Sequence, residues 1–249
     1  MNEYKVLDKG FVRLESMMGG DHAVTRAARV SYNSSAKTTE EDKKLIAYLL
    51  KHNHGTPFEH AVFTFHVKLP IFVARQWIRH RMSSYNETSF RYREAPEEFY
   101  IPEKWRTQAM TGNKQGSVQA DFWTSTDHER VNSAIDAGQD TQIQLYQTLL
   151  KAGVAREMAR MVLPVNLYTE WYWTVNARAL LHFLELRCDS HAQWETRQYA
   201  HALAKIMIEE MPWTFMAWLN AIPENKLDGY NEMMKEVCGG ERAAEAGAK

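Results

Sequence analysis

The sequence predicts a single α/β domain of the α+β type, in which helix exceeds strand. Apolar and polar residues alternate from Phe63 to Leu69, which is the period of a half-buried strand. Residues 168–175 are aromatic and β-branched, a composition that also favours strand. Amphipathic helical patterns fill much of the rest, without an internal repeat or a clean domain boundary. We therefore expect one domain over residues 1–237, followed by a flexible Gly-, Ala- and Glu-rich tail over 238–249.

Local signals define the elements of the N-terminal half. Gly19-Gly20 ends the first strand, Glu40 and Glu41 suit the first turn of a helix, and Pro70 suits the first position of another helix. The predicted order is a strand at residues 12–17, helices at 22–30 and 39–51, a strand at 63–69, a helix at 70–81, a loop at 82–87 and an extended segment at 89–93.

The C-terminal half is predicted to be mainly helical. Residues 107–119 are polar, contain Gly112 and Gly116, and are expected to form a mobile insertion. Pro164 ends the second helical pattern that follows. The predicted order is a helix at residues 127–150, a shorter one at 155–163, a strand at 168–175, and helices at 177–186 and 192–211.

The composition is that of an ordinary globular protein, and its net charge is too small to attract an oppositely charged partner. Hydrophobic residues make up 45% and charged residues 24%, while the formal net charge is −1. No overall field would therefore attract nucleic acid or a membrane surface. The N-terminus lacks the apolar core of a signal peptide, and no apolar run approaches the roughly 20 residues that span a bilayer. Two cysteines without a CxxC motif suit a reducing compartment, so we expect a cytoplasmic protein.

Two long stretches of the chain contain arginine but no lysine. A guanidinium is a planar fork that holds phosphate or carboxylate bidentately and stays charged when partly buried. Anion binding is therefore favoured, although cations at a helix C-terminus would explain part of the pattern. The ten arginines are Arg75, Arg79, Arg81, Arg91 and Arg93 in the first stretch, and Arg156, Arg160, Arg178, Arg187 and Arg197 in the second.

Arg187 lies where the helical pattern of residues 177–186 places its apolar face. At 100° per residue, Arg187 falls in line with Leu180 and Leu184, whereas Arg178 and His182 fall on the opposite face. A cation on the core side is costly unless an anionic or strongly polar group meets it. The alternative is that the helix ends before this residue.

Residues 79–91 carry the most specific motif of the chain. They match the pattern Arg-His-Arg-x-x-Ser-x-Asn-Glu-x-Ser-x-Arg at all eight fixed positions, and this resembles the signature of flavin-dependent thymidylate synthases. Similar blocks occur upstream at residues 54–60 and downstream near Arg160, Asn176 and Arg187. The resemblance covers about residues 50–95 and 155–215, and is slight in the N-terminal part and in residues 107–119.

The resemblance implies a reaction, its ligands and an assembly. Deoxyuridylate (dUMP) would gain a methyl group from 5,10-methylenetetrahydrofolate to give dTMP. Reduced FAD would supply the hydride, and NADPH would reduce the flavin. The family's fold is a small, mostly antiparallel sheet flanked by several helices. The resemblance further implies a homotetramer that shares residues between active sites, with no nucleic-acid or membrane partner and no metal.

The same resemblance assigns roles to individual residues, with Arg187 as the catalytic group that polarises the uracil ring. Two spacings accord with these roles: Gln76 and Arg79 would share a helix face, and Ser89 and Arg91 would point the same way in an extended segment. The implied dUMP contacts are Gln76, Arg79, Glu87, Ser89, Phe90, Arg91, Arg160 and Arg187. The implied FAD contacts are His54, Thr56, Arg79, His80, Arg81, Glu87, Asn176, Arg178 and His182, the last standing where some relatives have Asn.

Three other functions are compatible with parts of the sequence. The histidines between His52 and His80 could form a hydrolytic metal site, although no HExxH motif sets a ligand geometry. Aromatic residues interleaved with Arg91 and Arg93 could bind single-stranded nucleic acid, against the near-zero net charge. Cys188 could act as the attacking thiolate used by other thymidylate synthases, but a lone cysteine is more often a small core residue.

Overall fold

A five-stranded antiparallel sheet organises the chain in a computed structural model, which describes residues 3–32, 38–110, 116–119 and 123–246. The strand order is β1-β2-β3-β7-β4, and a separate hairpin pairs β5 with β6. The predicted α+β class with a mostly antiparallel sheet is confirmed. The strands are β1 Glu3–Val6, β2 Gly10–Met18, β3 Val62–Pro70, β4 Ser83–Glu87, β5 Arg106–Gln108, β6 Ser117–Gln119 and β7 Tyr168–Asn176.

The two predicted central strands, β3 and β7, form the inner wall of the core. Phe63, Phe65 and Val67 of β3 are fully buried, while the alternate residues between them face away from the core. On β7, Trp171 and Trp173 are buried in the same way, and the Trp173 ring stacks 5.8 Å from Phe65. The period-2 pattern therefore predicted both the strand and its buried face correctly.

Ten α-helices and four short 3-10 turns complete the described part of the chain. Several begin at residues whose side chains satisfy free backbone N–H groups, such as the capping box of Thr38 and Glu41 at α2. The helices are α1 Asp21–Arg29, α2 Thr39–Lys51, α3 Ile71–Trp77, α4 Ser125–Lys151, α5 Arg156–Ala159, α6 Ala177–Arg187, α7 Trp194–Glu210, α8 Pro212–Ala221, α9 Glu224–Leu227 and α10 Asn231–Ala246. The 3-10 turns are Val30–Tyr32, Thr56–His60, Arg160–Val162 and Asp228–Tyr230.

The predicted helices at residues 22–30, 39–51, 127–150, 177–186 and 192–211 are all present, with ends shifted by at most two residues. The shorter piece at residues 155–163 is split into α5 and a 3-10 turn before Pro164. Residues 107–119 contribute to the β5–β6 hairpin, and 111–115 lie outside the described residues. The tail assigned to residues 238–249 begins inside α10, whose backbone is non-helical at Gly239, and residues 247–249 are also outside the described part.

Three predictions around the signature were wrong. The helix expected at residues 70–81 is α3, which ends at Trp77 and leaves Arg79 and His80 in the following turn. Residues 82–87, predicted as a loop, contain edge strand β4, which is hydrogen-bonded to β7. Residues 89–93, predicted as extended, form a turn in which Tyr92 N donates to Ser89 O at 3.1 Å. For β4 the bonding partner is β7, about 90 residues away, which the local sequence does not reveal.

Asp21 at the start of α1 anchors the beginning of α8. Its buried carboxylate accepts hydrogen bonds from Trp213 N at 2.9 Å, Thr214 N at 3.0 Å and Thr214 Oγ1 at 2.6 Å. A carboxylate at a helix N-terminus satisfies free N–H groups and is favoured by the helix dipole. This contact fixes α8 against α1, although the two segments are far apart in sequence.

We expect Asp21→Ala to lower the free energy of unfolding by about 3 kcal/mol, because buried N–H donors lose a charged acceptor. Urea unfolding followed by circular dichroism would measure the change. The control is Glu40→Ala, which removes a mostly exposed carboxylate that pairs with Lys43 and should change stability by less than about 1 kcal/mol. Equal effects of the two substitutions would contradict this account of α8.

Candidate functional site

The signature residues are distributed over a helix end, an edge strand and a turn. Arg79 and His80 follow α3, Glu87 ends β4, and Ser89 begins the turn of residues 89–93. β4 is held against β7 by backbone pairing, from Ser83 opposite Val175 to Glu87 opposite Trp171. The motif therefore bends around the sheet edge instead of forming one continuous element.

A cavity of about 610 Å³ opens beside this edge, and we call it the signature cavity. It gathers five of the eight residues predicted to contact dUMP, together with Arg75, Glu157 and apolar residues of α3 and β7. The five predicted residues in its lining are Arg79, Glu87, Ser89, Phe90 and Arg160.

The charges of the signature cavity favour an anionic ligand. Arg75 and Arg79 line it and form no salt bridge with any described residue. Glu157, by contrast, is paired with Arg91 at 3.0 Å, which places Arg91 next to the cavity lining. Guanidinium groups without a protein anion can bind a phosphate bidentately. The cavity thus has the residues expected of a phosphate site.

The Glu87 carboxylate has a partner that the sequence did not reveal. Thr169 of β7 is buried, and its hydroxyl donates to Glu87 Oε1 at 2.7 Å. The backbone of the next residue, Thr88, donates to Glu170 O at 2.8 Å. These bonds hold the end of β4 and direct Glu87 into the signature cavity. Nothing in the sequence marked Thr169, because its partner is 82 residues away.

Arg187 ends α6 and meets a neutral histidine instead of a carboxylate. Its Nε donates to His80 Nε2 at 3.0 Å, and it forms no salt bridge with the described residues. Burial, followed by the charges of Arg187 and His182, lowers the pKa of His80 from 6.5 to about 4. Burial also lowers the pKa of Arg187. A neutral imidazole nitrogen is the form that can accept this hydrogen bond, so the pair is consistent at neutral pH.

Helix α6 extends to Arg187. The alternative that this helix ends before Arg187 is therefore excluded. The pairing with His80 holds the guanidinium without neutralising its charge. Such a partly desolvated cation can stabilise negative charge that develops on a ligand more strongly than a solvated one.

Gln76 lies outside both the lining of the signature cavity and the Arg187–His80 pair. Its Nε2 donates a hydrogen bond to Gln193 Oε1 before α7. The expectation that Gln76 and Arg79 share one helix face was wrong, because α3 ends at Trp77.

A second cavity of about 770 Å³ lies on the side of α6 that carries Arg178 and His182, and we call it the His54 cavity. His54, Arg178 and His182, three of the residues predicted to contact FAD, contribute to its lining. The wall opposite comes from α8, α9 and the turn after them. That wall comprises Ala217, Trp218, Asn220, Ala221, Ile222, Pro223, Lys226 and Tyr230.

Gly55 allows Arg178 to lie across the chain at the edge of the His54 cavity. A Cβ atom at residue 55 would come within 2.4 Å of Arg178 Nε and 2.7 Å of Cζ, so a side chain cannot be placed there without moving the guanidinium. Arg178 Nη1 also pairs with Glu59 at 2.6 Å. A side chain at residue 55 would therefore require the exposed Arg178 side chain to move.

The remaining predicted flavin residues lie outside the His54 cavity lining. Arg79 and Glu87 line the signature cavity, and His80 pairs with Arg187. Three others lie near these features: Thr56 follows Gly55, Arg81 is exposed before β4, and Asn176 caps α6 by accepting from Ala179 N at 2.9 Å. One described chain thus divides the predicted flavin contacts among at least two places.

The other functions weighed from the sequence lack support. Among the residues with described structure, no group of three or more His, Cys, Asp or Glu side chains could hold a metal ion. Tyr85 packs against Trp171 and Trp173, and Phe90 is buried, so most of the aromatic run cannot stack on bases.

Cys188 is buried immediately after α6, and burial raises the pKa of its thiol well above its usual range. A thiolate nucleophile at this position is therefore not supported. Within the same described part of the chain, no helix combines the length and apolar character that a membrane crossing requires.

Comparison with known proteins identifies close relatives. The model of the family described as thymidylate synthase complementing protein matches residues 13–213. A flavin-dependent thymidylate synthase from Thermosipho africanus is 55% identical over 220 residues, which are 87% of this chain and 94% of the relative. One from Thermosipho melanesiensis is 54% identical over 94% of this chain and 99% of the relative.

A solved structure shares both sequence and fold with the chain. It is that of a UMP/dUMP methylase, PolB from Streptomyces cacaoi, bound with 5-Br dUMP. The TM-score is 0.78 at 36% sequence identity, and the match covers 86% of this chain and 97% of that one.

The lowered pKa of His80 predicts a specific dependence of stability on pH. The unfolded chain binds a proton at this residue near pH 6.5, whereas the folded chain does so only near pH 4. Stability from this group should be complete above about pH 6.5 and decline as the pH falls towards 4. We expect His80→Gln, which keeps an acceptor for Arg187, to reduce the slope of unfolding free energy against pH in this window. Urea unfolding at several pH values measures it, and equal slopes in both proteins would refute the assignment.

Proposed function

The chain belongs to the flavin-dependent thymidylate synthase family, and from that premise we propose how its side chains divide the binding and chemistry of the reaction. The enzyme methylates dUMP to dTMP, with methylenetetrahydrofolate as the carbon donor and NADPH as the reductant. FAD, when bound, supplies the hydride. The observation that carries the residue assignments is a set of arginines beside the signature motif that pair with no carboxylate in the described part of the chain: Arg75, Arg79 and Arg187.

The signature cavity is proposed to bind dUMP. Arg79 and Arg160 provide guanidinium groups, and Ser89 provides a hydroxyl donor, on one wall of a space of about 610 Å³. These groups suit the phosphate of the nucleotide. Arg91, held beside the lining by Glu157, would add a further cation, and the buried Phe90 ring would offer apolar contact.

The His54 cavity is proposed to hold part of FAD. Its lining suits a flavin dinucleotide, because Arg178 and Lys51 provide cations for the diphosphate and Phe58 and Leu181 provide apolar surface for the rings. We propose four further FAD contacts outside this lining: Thr56, His80, Arg81 and Asn176.

Arg187 is proposed as the catalytic residue. Its guanidinium would stabilise the N3-ionised uracil, which raises electron density at C5, the carbon that receives the methyl group. His80, in its neutral form, directs the guanidinium through Nε and leaves the Nη atoms for the ring. The protein needs no nucleophile of its own, in agreement with the buried Cys188 thiol.

The distribution of these residues supports a shared active site in a homotetramer. Gln76 and Arg187 do not line the signature cavity, so one chain separates residues that the family resemblance assigns to one nucleotide. The exposed apolar residues Ile78, Met161 and Val165 lie in the lining of the same cavity and would suit contact with another copy. The cytoplasmic location stays a prediction.

We expect the purified protein to be yellow and to form dTMP from dUMP only when methylenetetrahydrofolate and NADPH are both present. Visible absorption would report bound FAD, titration with dUMP should shift the flavin bands, and chromatography would measure dTMP. A colourless protein that takes up no FAD in the presence of dUMP would overturn the proposal.

Arg187→Ala should reduce kcat by about 100-fold or more, because the developing negative charge on uracil loses its cation. Flavin absorption should remain, since the His54 cavity is unchanged. Arg130→Ala, an exposed arginine of α4, is the matched control and should retain wild-type turnover. Normal turnover in Arg187→Ala would remove this residue from the catalytic role.

A further inference from the structure

We infer that a series of side chains centred on the buried Glu195 orients the amide of Gln76 for nucleotide binding, and that Gln193, Glu195 and Arg106 are positioning residues for dUMP. We call Arg106, Glu195, Gln193 and Gln76 the Glu195 chain. This inference rests on the proposed function, and within it on the role of Gln76 as a dUMP contact that the family resemblance implies. It links that residue to the β5–β6 hairpin, the region in which the family resemblance is slight.

Glu195 is the centre of the series. It lies in the first turn of α7 with only 4% of its surface exposed. Its Oε1 is paired with Arg106 and also accepts from the Tyr100 hydroxyl at 3.3 Å. Its Oε2 accepts from Gln193 Nε2 at 3.0 Å. The buried carboxylate is therefore bonded at both oxygens.

Arg106 holds this carboxylate from the hairpin. Its guanidinium lies 4.9 Å from the centre of the Trp194 ring, and its Nε donates to Ser117 Oγ of β6 at 2.9 Å. Burying a carboxylate is unfavourable unless a cation and hydrogen bonds compensate its lost hydration. The hairpin thus supplies the charge that allows Glu195 to remain buried.

The carboxylate determines which way each amide in the series faces. An ionised carboxylate only accepts hydrogen bonds, so Gln193 must turn its NH₂ group towards Glu195. The Gln193 carbonyl oxygen then faces Gln76, which must turn its own NH₂ group towards Gln193. One N–H and the carbonyl oxygen of Gln76 remain for a ligand, in a single orientation. Without the carboxylate, either amide could rotate by 180° at little cost.

Gln76 would pass this orientation to the nucleotide through the dUMP contact that the family resemblance assigns to it. It lies in the last turn of α3, three residues before Arg79 of the signature cavity. An amide held in one orientation loses less freedom when a ligand binds than an amide that must be ordered by the ligand. The Glu195 chain would therefore strengthen dUMP binding without contacting dUMP.

The test is a comparison of dUMP affinity in the FAD-loaded protein, measured from the shift of the flavin bands. Gln193→Met keeps the side-chain size but breaks both links, and we expect the dissociation constant for dUMP to rise about tenfold, or about 1.4 kcal/mol. FAD affinity and kcat should stay within about twofold. The matched control is Gln198→Met on the same helix, whose amide nitrogen has no hydrogen-bond partner in the described structure, and it should not change dUMP affinity.

A double-mutant cycle separates positioning from a general structural role. If Gln193 acts through Gln76, Gln193→Met should weaken dUMP binding no further in a Gln76→Ala background. Additive effects would overturn the inference. Glu195→Gln, which keeps the shape but no longer sets the amide direction, provides a second variant, and unchanged dUMP affinity in it would also overturn the inference. If Gln76→Ala alone leaves dUMP affinity unchanged, the proposed role of Gln76 itself is wrong, and the inference fails with it.

Discussion

The pairing of β7 with β3 on one side and β4 on the other is the constraint on which both candidate sites depend. β3 is bonded to β7 along its whole length, which buries Trp171 and Trp173 between the sheet and the helices. β4, which carries the centre of the signature, has β7 as its sheet neighbour. β7 then ends at Asn176, whose side chain caps α6 and so sets the direction of the helix that carries Arg178 and Arg187.

Arginines at these sites differ in whether a protein anion neutralises them. Arg91 and Arg178 form exposed ion pairs with Glu157 and Glu59, which contribute little to stability. Arg79 has no such partner among the residues that the structure describes, and Arg187 is held by the neutral imidazole of His80. A cation without a protein anion favours binding of a negatively charged ligand, and of these two arginines Arg187 is partly buried whereas Arg79 is exposed. At Arg187, which is partly buried, arginine has the advantage over lysine that it stays charged when desolvated.

The His54 cavity combines a wall typical of the family with a wall from the end of the chain. His54, Arg178 and His182 lie within residues 13–213, the part that the family model matches, whereas the α8–α9 wall with Trp218 and Lys226 lies beyond it. The carboxylate of Asp21 accepts a hydrogen bond from Thr214 N and so fixes the start of α8, the helix that contributes to this second wall. A ligand in this cavity would therefore contact both the family's common residues and residues outside the match.

The sequence by itself determined the family, the central strands β3 and β7, and most helix bounds, because periodicity, caps and a contiguous motif are local properties. It also indicated that Arg187 faces the apolar side of α6. It did not determine strand β4, whose polar residues gain their bonds from β7, nor the early end of α3, nor the neutral His80 beside Arg187. It likewise could not join Gln76 to Gln193, which are 117 residues apart. Only the tertiary structure decided these features, because β4, the His80–Arg187 pair and the Gln76–Gln193 pair each depend on hydrogen bonds between segments that are far apart in the chain.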